Sequence, residues 1–274
     1  MYDFKQKVAI ITGGASGIGT ALCSEFAKNG GTVIVADIDV GGAQKVADQI
    51  KEQGGLAYAR QLDVTREEVF HQLVNQTVAD HGQLDYLFNN AGISVTGDAR
   101  DLRIEHWRSV IDVNLWGVIH GTMAAYPIMA KQGAGHIVNT ASLAGLLPYP
   151  TNLPYATTKH AVVGFSISLR AEAADLGVKI GVVCPGYIQS GIYQVATIVN
   201  VPREKIIAAI PFKLMDTKFA ARSILRGVSR NTAIIVFPRY ARLLWWMYRV
   251  NSSLMSPLAV KMIRDLRRDR TPDV

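Results

Sequence analysis

Cysteine is scarce: Cys23 and Cys184 are the only two in 274 residues. Two cannot build a disulfide framework, and both lie in apolar stretches, which points to small buried side chains in a reducing compartment. No apolar run approaches the ~20 residues that a membrane-spanning helix needs. The first residues, Met-Tyr-Asp-Phe-Lys, lead straight into a strand pattern with no signal-peptide signature, so the expected location is cytoplasmic. Charged residues are only 19% of the chain and apolar ones 49%, which excludes disorder and leaves a globular protein with a sizeable core.

Net positive charge is nearly absent from the body, although the whole chain carries +7. Residues 239–270 hold eight Lys and Arg against two Asp, so +6 of the net charge belongs to that segment alone. Tyr240, Leu243, Leu244 and Met247 repeat there at helical spacing, and Leu258, Met262 and Leu266 do so again. Two readings are open: an amphipathic tail on an anionic bilayer, or a helical pair packed against the body or a second subunit with its arginines solvated. The second is preferred, and a peripheral membrane contact is the alternative. Basic residues interleaved with aliphatic stripes do not suit nucleic acid.

What is abundant is alternation. Apolar runs at 7–12, 32–36, 56–61, 84–88, 136–140, 178–183 and 232–236 alternate with helical patterns. The expected fold is α/β, a doubly wound parallel sheet of about seven strands with helices on both faces, plus a C-terminal helical extension. The expected division is one oxidoreductase domain over 1–238 and a basic amphipathic extension over 239–274. In such sheets ligands bind beyond the carboxyl ends of the strands. Gly13 to Gly19, Asp37, Asp63, Asn89 to Gly92, Ser142 and Pro185-Gly186 all follow strand ends.

Thr12-Gly-Gly-Ala-Ser-Gly-Ile-Gly19 joins the first strand to a helical pattern, so free backbone N–H groups and a helix N-terminus can meet a pyrophosphate. Asp37 ends the second strand, where a carboxylate can bind a ribose diol and repels a 2′-phosphate. The turn and residue 38 carry no Lys or Arg, so NAD is expected over NADP. Asp39 is expected to start the next helix, and Thr65-Arg-Glu-Glu68 to form a capping box.

Tyr155 and Lys159 are four apart, on one face if the segment is helical, and Asn152 and Pro154 suit a helix start. A phenol has a reference pKa of about 10, so a base at neutral pH needs a drop of about 3 units, or ~4 kcal/mol. One ammonium at ~4 Å and an effective dielectric of ~20 supplies about that much before desolvation subtracts from it. An oxidised nicotinamide ring would cover the shortfall.

With these residues in hand, the chain resembles the short-chain dehydrogenase/reductase family in its compact form, over about 5–236. Thr12-Gly13-x-x-x-Gly17-x-Gly19 resembles the family's cofactor turn, and Asn89-Asn90-Ala91-Gly92 its sheet-stabilising motif. Asn114, Ser142, Tyr155 and Lys159 fall on its catalytic tetrad. The resemblance implies Tyr155 as acid/base, Lys159 lowering its pKa and bonding the nicotinamide ribose, Ser142 donating to the substrate oxygen, and Asn114 holding a relay water. It further implies cofactor contacts from Gly13, Ser16, Gly17, Ile18, Gly19, Asp37, Asp63, Val64, Asn90, Ala91, Gly92, Tyr155, Lys159, Pro185, Gly186, Ile188 and Ser190, with no metal. Ser190 stands where the family more often has threonine. A homo-oligomer, dimer or tetramer, is expected.

Ser94 to Gly97, Leu143 to Pro150, Tyr187 and Ile192 to Met215 are expected to line the substrate pocket. They are rich in Leu, Ile, Val, Tyr and Pro. The expected substrate is therefore a bulky, apolar secondary alcohol or ketone, such as a steroid, retinoid, terpenoid or long-chain compound. The rival functions are an NADPH-dependent ketoreductase of carrier- or CoA-bound acyl groups, and a catalytically silent binding protein of the same fold.

Overall fold

A computed structural model describes residues 3–270. The strands are β1 (Val8–Thr12), β2 (Thr32–Asp37), β3 (Leu56–Gln61), β4 (Tyr86–Asn89), β5 (Val95–Thr96), β6 (Gly135–Thr140), β7 (Val178–Pro185), β8 (Thr197–Ile198) and β9 (Ile234–Phe237). Seven of them form one sheet in the order β3-β2-β1-β4-β6-β7-β9, and every pairing is parallel. All seven expected strands are present, the fourth and last starting two residues later than the apolar runs do. Sequence reading missed the short parallel pair β5–β8, whose residues are too few to show a period.

The helices are α1 (Gly17–Lys28), α2 (Val40–Glu52), α3 (Glu67–His81), α4 (Ile104–Ile111), α5 (Gly117–Gln132), α6 (Leu153–Glu172), α7 (Ile192–Val195), α8 (Arg203–Ala208), α9 (Thr217–Ser229), α10 (Arg239–Val250) and α11 (Ser256–Arg268). Successive residues of β1 serve opposite faces of the sheet, as the strand period requires. Ala9 and Ile11 join Phe26 of α1, Val46 of α2 and Ile224 of α9 in one core cluster. Ile10 joins Phe70 of α3, Met129 of α5 and Leu169 of α6 in another. Burying each such large side chain contributes roughly 1.5–3 kcal/mol. The sheet is thus covered on both faces, which is why its strands read as unbroken apolar runs.

A third cluster ties Leu143, Leu147 and Val162 to Ala241 and Met255, with Leu244, Trp245 and Tyr248 packed against it. The helical segment after residue 238 therefore shares apolar packing with the rest of the chain. No helix among the described residues is long and apolar enough to cross a membrane.

Local caps divide into one match and one correction. Asp39 caps α2 by accepting from the Gly42 N–H at 2.9 Å. The expected capping box at Thr65 does not form. Asp63 takes both the Thr65 N–H (2.9 Å) and the Thr65 hydroxyl (2.7 Å) on one oxygen, and α3 starts only at Glu67. Asp63, two residues upstream, thus takes the Thr65 N–H that Glu68 would accept in a capping box.

Candidate active site

The order of strands reverses between β1 and β4, and the loops at that end of the sheet open onto a cavity of about 380 Å³. Gly13 and Gly17 have φ of +65° and +54°, a region that glycine enters without cost. A Cβ on Gly13 would sit 2.9 Å from the Ala91 Cα, so the turn is pressed onto the segment after β4. Thr12 holds that segment in place: its hydroxyl accepts from the N–H groups of Asn90 and Ala91, each at 3.0 Å. The Asn90 amide returns a bond to the Thr12 carbonyl at 3.0 Å. Asn89 lies deeper, donating to Asn139 at 2.9 Å and stitching β4 to β6.

This turn fits a dinucleotide pyrophosphate. No side chain caps α1 at Ser16, so among the described residues its first N–H groups remain available, and Ser16, Gly17 and Ile18 line the cavity. Asp37 stands at the end of β2 with one oxygen on the Ala15 N–H (3.0 Å) and the other on the Asp39 N–H (3.0 Å). Each oxygen keeps a lone pair for a ribose hydroxyl.

The cavity brings together Gly13, Ser16, Gly17, Ile18, Asn90, Ala91, Gly92, Ser142, Tyr155, Lys159, Pro185, Gly186, Ile188 and Ser190 among the expected site residues. Gly19, Asp37, Asp63, Val64 and Asn114 lie outside its lining. Gly19 instead packs behind the turn, against the Gly13 carbonyl. Val64 is buried, and its carbonyl meets a ring nitrogen of His120 at 3.0 Å.

Tyr155 and Lys159 lie on the first turns of α6, as their spacing predicts. The Lys159 Nζ lies 5.4 Å from the centre of the Tyr155 ring and donates to the Thr140 carbonyl at 2.8 Å. The electrostatics show the desolvation that opposes the ammonium. Burial raises the Tyr155 pKa above the ordinary phenol value, and the Ser142 hydroxyl opposes it without winning. Burial also pushes Lys159 down to about 8. Desolvation of the phenol therefore outweighs the hydrogen bond that favours its phenolate. Its extent could not be read from spacing, because burial is a property of the packed site.

Asn114 occupies a wide π-helical turn (Asp112–Trp116) between α4 and α5. Both ends of its amide pair with the Ile93 backbone, at 2.8 Å to the N–H and 2.9 Å to the carbonyl. Its side chain holds the segment after β4.

Three further tyrosines line the cavity. The Tyr149 hydroxyl donates to that of Tyr187 at 3.0 Å, and Tyr193 faces the Ile188 N–H. The C-terminal segment reaches the pocket: Met262, Asp265, Leu266 and Asp269 of α11 and its end form one wall. Arg267 bonds Asp98 at 2.7 Å, Arg270 bonds Asp101 at 2.6 Å and 2.7 Å, and Lys205 meets Asp269 at 3.3 Å. The Asp98 carboxyl is held well below the usual range by Arg100, with burial opposing and Arg267 adding to the effect.

Comparison with known proteins agrees with this geometry. Residues 7–197 match the short chain dehydrogenase family. The chain is 41% identical over 188 residues to a cyclohexanol dehydrogenase of Acinetobacter sp. strain SE19, covering 68% of this chain and 75% of that protein. It is 32% identical over 219 residues to YxjF, an uncharacterized oxidoreductase of Bacillus subtilis strain 168, covering 78% and 85%. A solved short chain dehydrogenase/reductase from Burkholderia phymatum in complex with NAD superposes with a TM-score of 0.84 at 27% identity, over 93% of this chain and 97% of that one.

Proposed function

Because this chain belongs to the short chain dehydrogenase family, we propose that it is an NAD-dependent oxidoreductase interconverting a bulky, apolar secondary alcohol and its ketone. The observation that carries the reading is the placement of Tyr155, Ser142 and Lys159 on one cavity with the glycine turn at its other end. The dinucleotide, when bound, supplies the hydride acceptor or donor. Gly13, Ser16, Gly17, Ile18 and Asn90 to Gly92 hold its phosphate end, and Asp37 selects against a 2′-phosphate. Pro185, Gly186, Ile188 and Ser190 border the nicotinamide side.

Tyr155 takes the alcohol proton on its Oη, or returns it to the carbonyl oxygen in reduction. Ser142 holds that oxygen while negative charge develops on it. Lys159, cationic at neutral pH with a pKa of about 8, favours the phenolate and offers donors to a ribose. The positive charge of an oxidised nicotinamide adds to that of Lys159 and offsets the burial that raises Tyr155.

Substrate size and polarity follow from Leu143, Ile198, Val201, Ile206, Met262 and Leu266, which make the substrate side of the cavity mainly apolar. The named activity of the Acinetobacter relative points the same way. A panel of cyclic and long-chain secondary alcohols, run with NAD and NADP in parallel, tests the reading. NAD is expected to be preferred at least about tenfold, since Asp37 would face a phosphate of like charge. Turnover confined to small charged hydroxy acids, or to acyl thioesters with NADPH, would replace it.

A further inference from the structure

The basic residues of the C-terminal segment fall into two sets. Arg267, Arg268 and Arg270 meet Asp98, Asp265 and Asp101. Arg239, Arg242, Arg249, Lys261 and Arg264 meet no carboxylate among the described residues. The second set borders an apolar stripe. On α10, Ala241, Leu244 and Tyr248 turn inward to the core, and the Tyr240 hydroxyl accepts from the Tyr187 N–H at 2.7 Å. The opposite face leaves Leu243, Trp246 and Val250 at 57%, 62% and 65% exposure, spaced three and four residues apart, with Leu254 exposed in the turn that follows. By helical spacing Arg239 lies on that face, while Arg242 and Arg249 flank it, Arg242 with its Nε on the Val236 carbonyl at 2.6 Å and Arg249 over the Trp245 ring. The outward face of α11 repeats the composition with Val260, Lys261 and Arg264.

The geometry points to α10, assisted by the outer face of α11, as a surface that seats on an anionic lipid bilayer. Such a bilayer satisfies both parts of the face at once: the large apolar side chains enter the acyl boundary while guanidinium groups stay at phosphate level. A second copy docked about a two-fold axis would bring the same five cations against their equals. Nucleic acid would pair the cations and leave Leu243, Trp246 and Val250 in water. The binding is peripheral, because no described helix can span.

A consequence follows for the cavity. The inner face of α11 carries Met262 and Leu266 on the cavity wall, so docking would set that cavity beside a phase in which apolar alcohols concentrate. This consequence rests on the proposed function; the docking itself does not.

Co-sedimentation of the full chain with vesicles of phosphatidylcholine alone, or of phosphatidylcholine with phosphatidylglycerol, tests the surface. Binding is expected only to the anionic vesicles, weakening as salt rises. Arg239→Gln and Lys261→Gln are each expected to cost about fivefold, and Trp246→Ser about tenfold or more. Oxidation of a water-soluble alcohol should be unchanged in all three variants. A blue shift of tryptophan emission when anionic vesicles meet the unaltered protein provides a readout that needs no variant. No sedimentation with either vesicle, equal binding to both, or a dimer that Trp246→Ser turns into monomer would each overturn the inference.

Discussion

Replacing Tyr155 with Phe is expected to lower kcat by about a thousandfold or more, the upper range for removing a positioned acid/base. The change deletes one oxygen and leaves the ring, so the packing of α6 and the position of Lys159 should persist. Nucleotide affinity, read from NADH fluorescence, should stay within about twofold of the unaltered protein, since the residues proposed for the phosphate end are untouched. That split separates a chemical role from a structural one. Activity within about tenfold of the original would place proton transfer elsewhere, with Tyr193 and Tyr149 the next hydroxyls on the cavity.

Gly19→Ala is the second large effect, and its cause is steric. The backbone at Gly19 is not in the left-handed region, but a Cβ there would penetrate the Gly13 carbonyl and come within 2.9 Å of the Asn90 amide nitrogen. That amide holds the Thr12 carbonyl, so the clash spreads from the glycine turn to the segment after β4. Overpacking of this kind costs about 1–3 kcal/mol in stability. Dinucleotide affinity should fall at least about a hundredfold, because backbone N–H groups bind phosphate only when held in register. Gly164→Ala in α6 is the control. Nothing lies within 4 Å of its added Cβ, so thermal unfolding should move up slightly or not at all. Equal effects of the two substitutions, read by calorimetry and NADH titration, would refute the steric account.

What could be read from the chain beforehand was whatever local sequence decides. The apolar runs gave the strands because a strand covered on both faces needs no polar position, and Asp39 was recognisable as a cap because its partner is three residues away. The residues proposed for the cofactor turn and for acid/base work were singled out by local spacing together with the family resemblance. Features settled by distant partners were not. Asn114 sits in a π turn because its amide is drawn to the Ile93 backbone, 21 residues away. The wall formed by α11 depends on Arg267 and Arg270 finding Asp98 and Asp101, each 169 residues away. The capping box at Thr65 failed because Asp63 offered a nearer acceptor. The extent of the desolvation at Tyr155 was not legible either, since charge spacing is written in the sequence and burial is not.

The central claim is that Tyr155 and Lys159 share a proton on which the reaction depends, and the pH dependence of kcat/KM tests it most directly. Burial raises Tyr155 and lowers Lys159 to about 8, so the first proton is expected to leave these two groups near that pH. Alcohol oxidation needs the deprotonated pair. Its kcat/KM should therefore climb about tenfold per pH unit on the acid side and level off above roughly pH 8, while ketone reduction should run the opposite way. A flat profile, or oxidation that fails as the solution turns alkaline with the fold intact, would contradict the account.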